Sequence, residues 1–234
     1  MLPRVLLASV LAVAAVAVAA PGGAAPAAKA GAAKDWSRTV VITQEGGFRM
    51  GNPDAKVKLV EYGSLTCSHC ADFANASKAG LIGHVKSGKV SFEFRNYVLN
   101  GIDVTASLVA RCAPAEHFFP LVEQLYATQS GWVSKISDLP DAEKNLVLAL
   151  SEGARFIRLG EIGGIIDMGA RHGVAPDKAR QCLADPAGLE RLGAMGEAAV
   201  ALGVEGTPTF FINGAMAPVN DWPGIDALIR QTGG

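Results

Sequence analysis

Two cysteines separated by two residues, Cys67-Ser68-His69-Cys70, are the groups in this chain whose types and spacing could do chemistry. The apolar run Val57 to Tyr62 ahead of them reads as a strand. Behind them Phe73, Leu81, Ile82 and Val85 suggest a helix closing near Gly88. A C-x-x-C at such a junction sets its first sulfur over a helix N-terminus, where unpaired N–H groups and the helix dipole favour a thiolate. A thiolate is the nucleophile that disulfide exchange requires. Tetrahedral zinc would need two further ligands, and Cys112 and Cys182 stand alone with no second C-x-x-C. Ala71, not His, follows Cys70, so the haem-attachment pattern fails too. Neither a metal nor another cofactor is expected.

Holding that pair in place requires a sheet and the helices that cover it. Val40-Val41-Ile42 is a β-branched run, and Asn52-Pro53-Asp54 makes a turn before the strand at Val57. Val90 to Arg95 alternates apolar and polar residues with period two, the pattern of a half-buried strand. Strand, helix and strand then form a β-α-β unit whose parallel strands need the crossover helix. A long helical stretch follows. Pro176 and Asp177 open a helix carrying Cys182, Gly173 caps the helix before it, and Leu189, Leu192, Met195, Ala199 and Leu202 recur at helical spacing in another. Strand signals return at Thr209 to Ile212, followed by the hairpin dipeptide Asn213-Gly214, and Trp222 to Thr232 forms a final amphipathic helix.

The 234 residues are 50% hydrophobic and 18% charged, ample for a packed core and incompatible with disorder as the dominant state. A net charge of -1 lacks the basic excess of a nucleic-acid binder. Arg4 precedes the apolar run Val5 to Ala20, which ends in small residues such as Ala17-Val18-Ala19, the layout of a secretory signal peptide. The expected organisation is a signal peptide at 1–20, with the cut site open because Ala28-Lys29-Ala30 offers a second choice, and an Ala/Gly/Pro-rich flexible linker at 21–35. Export places four cysteines where disulfides persist. Cys67 and Cys70 are too close together to clamp anything, whereas Cys112 and Cys182 enclose a long loop, so the adopted pairing is 67–70 and 112–182.

The segment Tyr62-Gly63-Ser64-Leu65-Thr66-Cys67-Ser68-His69-Cys70-Ala71-Asp72-Phe73, with Gly206-Thr207-Pro208-Thr209-Phe210-Phe211-Ile212-Asn213-Gly214 downstream, resembles the DsbA family, and most of all its alphaproteobacterial members. The resemblance implies an α/β thioredoxin fold with a helical domain inserted between sheet elements. Its parts would be residues 36–103 and 199–234 for the thioredoxin fold and 104–198 for the insertion. It further implies a monomeric periplasmic oxidase that donates a disulfide to reduced or unfolded exported polypeptides and is recharged by a DsbB-like, quinone-linked membrane partner.

Residue by residue, the resemblance makes Cys67 the exposed attacking thiol and Cys70 the buried resolving one. His69 matches the family's active-site histidine, whose imidazole would favour the Cys67 thiolate, while Ser68 departs from the commoner proline. Glu61 falls on the family's buried acid below Cys70. An acid on a central strand is costly to bury, which favours a proton-transfer role. Thr207-Pro208 matches a substrate-facing loop with a cis proline, a conformer that sequence cannot announce because only about 5% of X–Pro bonds adopt it. Thr207 differs from the valine of the best-known oxidase and resembles the threonine of the disulfide isomerases, which keeps an isomerase or reductase as an alternative. The isomerases carry an N-terminal dimerisation domain, whereas only a linker and about fifteen residues are expected before the first strand here, which keeps the oxidase expectation ahead. A non-catalytic secreted binding protein of the same fold is a further alternative, against which the intact Cys67/Cys70 pair argues. His84, His117 and His172 read as ordinary surface or core residues.

Overall fold

In the computed structural model, which describes residues 34–234, one 3-10 turn at Trp36–Arg38 leads into a pair of short strands, β1 (Val40–Ile42) and β2 (Phe48–Gly51). The expected signal peptide and all but the last two residues of the expected linker lie outside the described residues. The chain continues through β3 (Val57–Gly63), α1 (Ser68–Lys86) and β4 (Val90–Asn96). Eight helices follow: α2 (Gly101–Cys112), α3 (Ala115–Ala127), α4 (Gln129–Ser137), α5 (Asp141–Leu148), α6 (Glu152–Ile162), α7 (Ile165–Arg171), α8 (Pro176–Leu183) and α9 (Pro186–Ala201). The sheet then resumes with β5 (Thr209–Ile212) and β6 (Ala215–Met216), and α10 (Trp222–Thr232) ends the fold. Among the described residues no helix is long and apolar enough to cross a membrane.

The sheet order is β1-β2-β4-β3-β5-β6. β3 and β4 run parallel, from Val57 opposite Val90 to Gly63 opposite Asn96, because α1 carries the chain back across the sheet between them. β5 pairs antiparallel on the other side of β3. The C-terminal end of a fully paired strand is therefore where the chain leaves the sheet toward Cys67. β2 lacks a recognisable strand signal, since Phe48-Arg49-Met50-Gly51 is short and preceded by two glycines. Tertiary register makes it a strand: Phe48 opposite Phe94 and Met50 opposite Phe92 put two more side chains on the apolar face.

That face carries Phe48, Met50, Leu59, Phe92, Phe94 and Phe210, all buried in one core with Phe73, Leu81 and Val85 of α1, Phe118 and Leu121 of α3, and Ile225 and Ile229 of α10. Phe48 stacks on Phe118 with ring centroids 3.7 Å apart, and Phe73 meets Phe210 at 4.3 Å. Each such side chain contributes roughly 1.5–3 kcal/mol by leaving water. At the β5–β6 turn both Asn213 and Gly214 have positive φ, 51° and 85°. The Asn213 side chain fastens this turn to β3 by accepting from Lys58 N–H at 2.8 Å.

The helical segment is organised around α2. Asn100 caps it by accepting from the N–H groups of Ile102 and Asp103, and every residue from Asp103 to Ala110 is buried. A helix buried on all sides has no solvent face to keep polar, and α2 packs against α3, α6, α7, α8 and α9. Gly173, at φ 84°, ends the turn after α7. α9 stops at Ala201, so Leu202, which shares the helical spacing, lies beyond it and is exposed.

Cys112, the last residue of α2, is bonded to Cys182 of α8 with S–S 2.05 Å, across a sequence separation of 70. Closing a loop of that length restricts the unfolded chain by about 4 kcal/mol in the entropic account. Replacing both residues by serine should lower the unfolding free energy in urea by about that amount while leaving the Cys67 thiol reactive. An unchanged urea midpoint would mean that α2 and α8 need no tether.

Candidate active site

Cys67 occupies the N-cap position of α1, with φ -81° and ψ 121°. Serine or aspartate at such a position would accept from the second and third helical N–H groups. Here those groups belong to His69 and Cys70, and both face the Cys67 sulfur and lower its pKa. The neutral thiol makes no capping hydrogen bond and instead donates to the Thr207 carbonyl at 3.3 Å. The sulfur becomes a cap when it ionises. Its pKa is held down to about 5, first by the hydrogen bond from the Cys70 thiol, then by the Thr207 side chain and the two backbone N–H groups, against the opposing effect of burial. Cys67 is half-buried and Cys70 fully buried. Both are free thiols, so this is the reduced form of the pair that sequence reading closes as a disulfide.

The Cys70 thiol is pushed far above its ordinary range by its bond to Cys67, by burial and by the charge of Glu61. Glu61 lies in register with Phe94 on one side and Phe210 on the other, on the apolar face of the sheet, and is 3% exposed. Its Oε1 has no hydrogen-bond partner among the described residues. Burial first, and the Cys67 charge second, raise its pKa to about 8. The carboxyl borders a cavity of about 120 Å³ lined also by Phe92, Phe94, Phe119 and Tyr126. Space for it exists because residue 63 is glycine: a Cβ there would come within 2.9 Å of Oε1 and 2.5 Å of Phe94. An acid titrating near neutrality beside a thiol that cannot ionise unaided can hold or supply a proton.

Three residues that sequence reasoning missed hold the loop between β3 and α1. Tyr126 of α3, fully buried beside the Cys70 thiol, donates its O–H to the Ser64 carbonyl at 3.1 Å. Gln129, the first residue of α4, donates from Nε2 to the carbonyls of Leu65 at 3.0 Å and Cys67 at 2.9 Å. Asp103 of α2 accepts from Leu65 N–H at 2.9 Å and from Leu99 N–H at 3.0 Å. Burial raises the Asp103 pKa to about 6 in spite of these donors. Their sequence signals are ordinary: an acid in the first turn of a helix, a tyrosine on an apolar face, and a glutamine starting a helix.

His69 is exposed, and no side-chain hydrogen bond involving its imidazole is formed among the described residues. Its influence on Cys67 comes through its backbone N–H, not through the ring that the sequence reading singles out. The Thr207–Pro208 peptide bond is cis, and the Thr207 carbonyl lies 3.3 Å from the Cys67 sulfur. Thr207 Oγ1 is buried without a partner and is free to donate to a thiolate. The other three histidines are engaged elsewhere: His84 pairs with Asp226 at 2.7 Å, His117 with the His172 carbonyl at 2.9 Å, and His172 with Gln124 at 2.7 Å.

A thioredoxin family model matches residues 43–230. The crystal structure of a protein-disulfide isomerase from Novosphingobium aromaticivorans superposes with a TM-score of 0.72 at 30% identity, covering 80% of this chain and 97% of that one. That of Wolbachia pipientis alpha-DsbA1 gives 0.61 at 18% identity, covering 82% and 93%, a likeness of fold. A provisionally named protein-disulfide oxidoreductase of Rickettsia bellii is 28% identical over 190 residues, 80% of this chain. The chain spans 64% of the length of that relative and 54% of one from Rickettsia typhi.

Thiolate absorbance of the reduced protein should titrate with a midpoint near 5. A thiol whose pKa is lowered on folding stabilises the folded state above its unfolded pKa of about 8.5 and loses that contribution as pH falls through the folded value. The stability of the reduced form relative to the oxidised one should therefore rise between pH 5 and 8. Glu61→Gln should leave the thiolate midpoint in place, because Glu61 is still protonated there, and should abolish a carboxyl titration near 8. A thiolate midpoint above 7 would contradict the capping argument.

Proposed function

The chain belongs to the thioredoxin family, in its DsbA-like form with a helical insertion, and on that premise we propose that it is a periplasmic dithiol oxidase. The reading rests on one observation, the set of donors that lower the Cys67 pKa to about 5. Whatever stabilises the thiolate stabilises the reduced protein, and a stabilised reduced form makes the disulfide a stronger oxidant. The carbonyl and hydroxyl of Thr207, on a cis bond beside the sulfur, suit a wall along which an extended client segment pairs through its backbone.

Oxidation then runs in two exchanges. A client thiolate attacks Sγ of Cys67, the S–S bond to Cys70 breaks, and Cys70 departs with the electron pair and takes a proton from Glu61. A second client thiolate attacks the client sulfur of the mixed disulfide, and Cys67 departs as the stabilised thiolate. The client dithiol has become a disulfide and the protein holds two reduced cysteines. Return to the oxidised state falls to a DsbB-like, quinone-linked membrane partner, and the protein acts as a monomer on exported polypeptides.

An isomerase or reductase is the second reading, favoured by Thr207 and by the name of the Novosphingobium relative. Equilibration with glutathione separates the two. An oxidase should show a potential less negative than the roughly -180 mV of protein disulfide isomerase, and a value near that of thioredoxin, roughly -270 mV, would make the protein a reductase. Thr207→Val removes a hydroxyl donor, so the Cys67 midpoint should rise and the potential become more negative, with slower refolding of a scrambled substrate. Unchanged values would confine Thr207 to packing.

Cys67→Ala should abolish oxidation of a reduced peptide, while Cys70→Ala, given a peptide that carries a disulfide for Cys67 to attack, should accumulate the mixed disulfide, seen by intact mass. Glu61→Gln in the unmodified dithiol background should slow the first exchange, in which Cys70 departs and takes its proton, by a factor on the order of 100 with the fold intact. Full oxidase activity in Cys67→Ala would overturn the assignment.

A further inference from the structure

A cavity of about 400 Å³ lies apart from the dithiol, beside the Cys112–Cys182 disulfide. Its walls come from the β1–β2 connection, the end of α2 and the start of α9. Two guanidinium groups line it, Arg111 and Arg191. Arg111 is half-buried, with Cζ 5.4 Å above the Phe48 ring and Nη1 donating to the Asn96 side-chain carbonyl at 3.1 Å. No carboxylate among the described residues pairs with it. Arg191, whose side chain is 62% exposed, reaches only Asp185, at 3.9 Å. Asp185 is already engaged, since its other oxygen caps α9 by accepting from Ala187 N–H at 3.1 Å. Arg191 therefore has one distant, partly committed anion, and Arg111 has none. Burial, together with the positive charge of Arg191, lowers the Arg111 pKa to about 10, the sign of a cation that lacks a counter-charge.

A half-buried charge without a partner is costly unless something completes it, and a guanidinium is shaped to receive two oxygens of a carboxylate or phosphate. Ile42, Phe48, Leu108 and the disulfide itself give the lining an apolar part, and Thr43, Gln44 and the Asp185 carboxylate that faces Arg191 complete it. We propose that this cavity is a binding site for a small amphiphilic oxyanion, a carboxylate or phosphate monoester on a short apolar body, held by Arg111 and Arg191. The anionic end completes the two guanidinium groups, and the apolar body covers Ile42, Phe48 and Leu108. The site is independent of the thiol chemistry, so its failure would leave the oxidase reading untouched.

Calorimetric titration of the oxidised full chain at low salt, with phenyl phosphate, benzoate, inorganic phosphate and neutral benzyl alcohol as probes, tests it. Phenyl phosphate or benzoate should bind at least tenfold more tightly than benzyl alcohol, and the stronger of the two identifies the head group. Inorganic phosphate should bind more weakly than phenyl phosphate, because it leaves the apolar wall uncovered. Arg111→Met should weaken binding more than tenfold. Arg191→Gln, at an exposed position that folding does not depend on, should weaken it three- to tenfold, which keeps the test valid if Arg111→Met folds poorly. Lys58→Gln, in β3 and outside the cavity lining, should have no effect. The proposal is overturned if neither aromatic anion binds, if Arg191→Gln binds as the unmodified chain does, or if Lys58→Gln weakens binding as much as Arg191→Gln.

Discussion

A negative charge on one sulfur, at the first turn of α1, is the constraint that the rest of the site serves. Four ionisable groups stand within range of one another: Cys67, Cys70, Glu61 and Tyr126. Crowding so many acids in a low-dielectric interior means that ionising one raises the others. Cys67 wins because it is the most exposed of the four and has helix N–H groups, a thiol and a hydroxyl to receive its charge. Glu61, on the apolar face between two phenylalanines, has no such donors and stays protonated to about pH 8. Neutral neighbours let the thiolate persist, and one of them retains a proton that can be moved.

The helical segment between β4 and β5 takes part in this arrangement through its first three helices. Asp103, Tyr126 and Gln129 come from α2, α3 and α4, and each binds backbone of the loop Ser64–Cys67. Without them the Leu65 N–H and carbonyl would lack partners in a partly buried place, and the carbonyls of Ser64 and Cys67 would keep only the N–H groups of Cys67 and Ala71. The sulfur's position over the helix N-terminus thus depends on side chains distant in sequence as well as on the strand-to-helix turn.

Much of the fold follows from local pattern. The alternation in β4, the apolar run of β3, the Asn213-Gly214 turn and the Pro176 start of α8 each depend on residues within one element, so neighbouring side chains are enough to show them. β2 was invisible because its strand character comes from pairing with Phe92 and Phe94, some forty residues onward in the chain. The helical spacing runs one residue past the end of α9, since Leu202 keeps it although its side chain is exposed.

The chemistry divides in the same way. By itself the sequence determined that Cys67 would sit at a helix start and that Glu61 would lie on a strand, because a C-x-x-C after an apolar run and an acid within that run are local facts. Tertiary structure alone decided what acts on them. His69 supplies its backbone rather than its ring because the first turn of α1 directs side chains outward and N–H groups toward the cap. Thr207 meets the sulfur across 140 residues of chain, a contact that no local preference encodes. The clamps at Asp103, Tyr126 and Gln129 likewise depend on which helix faces the dithiol. Burial and long-range hydrogen bonding set pKa values, and both are properties of packed neighbours, which a linear order of residues does not contain.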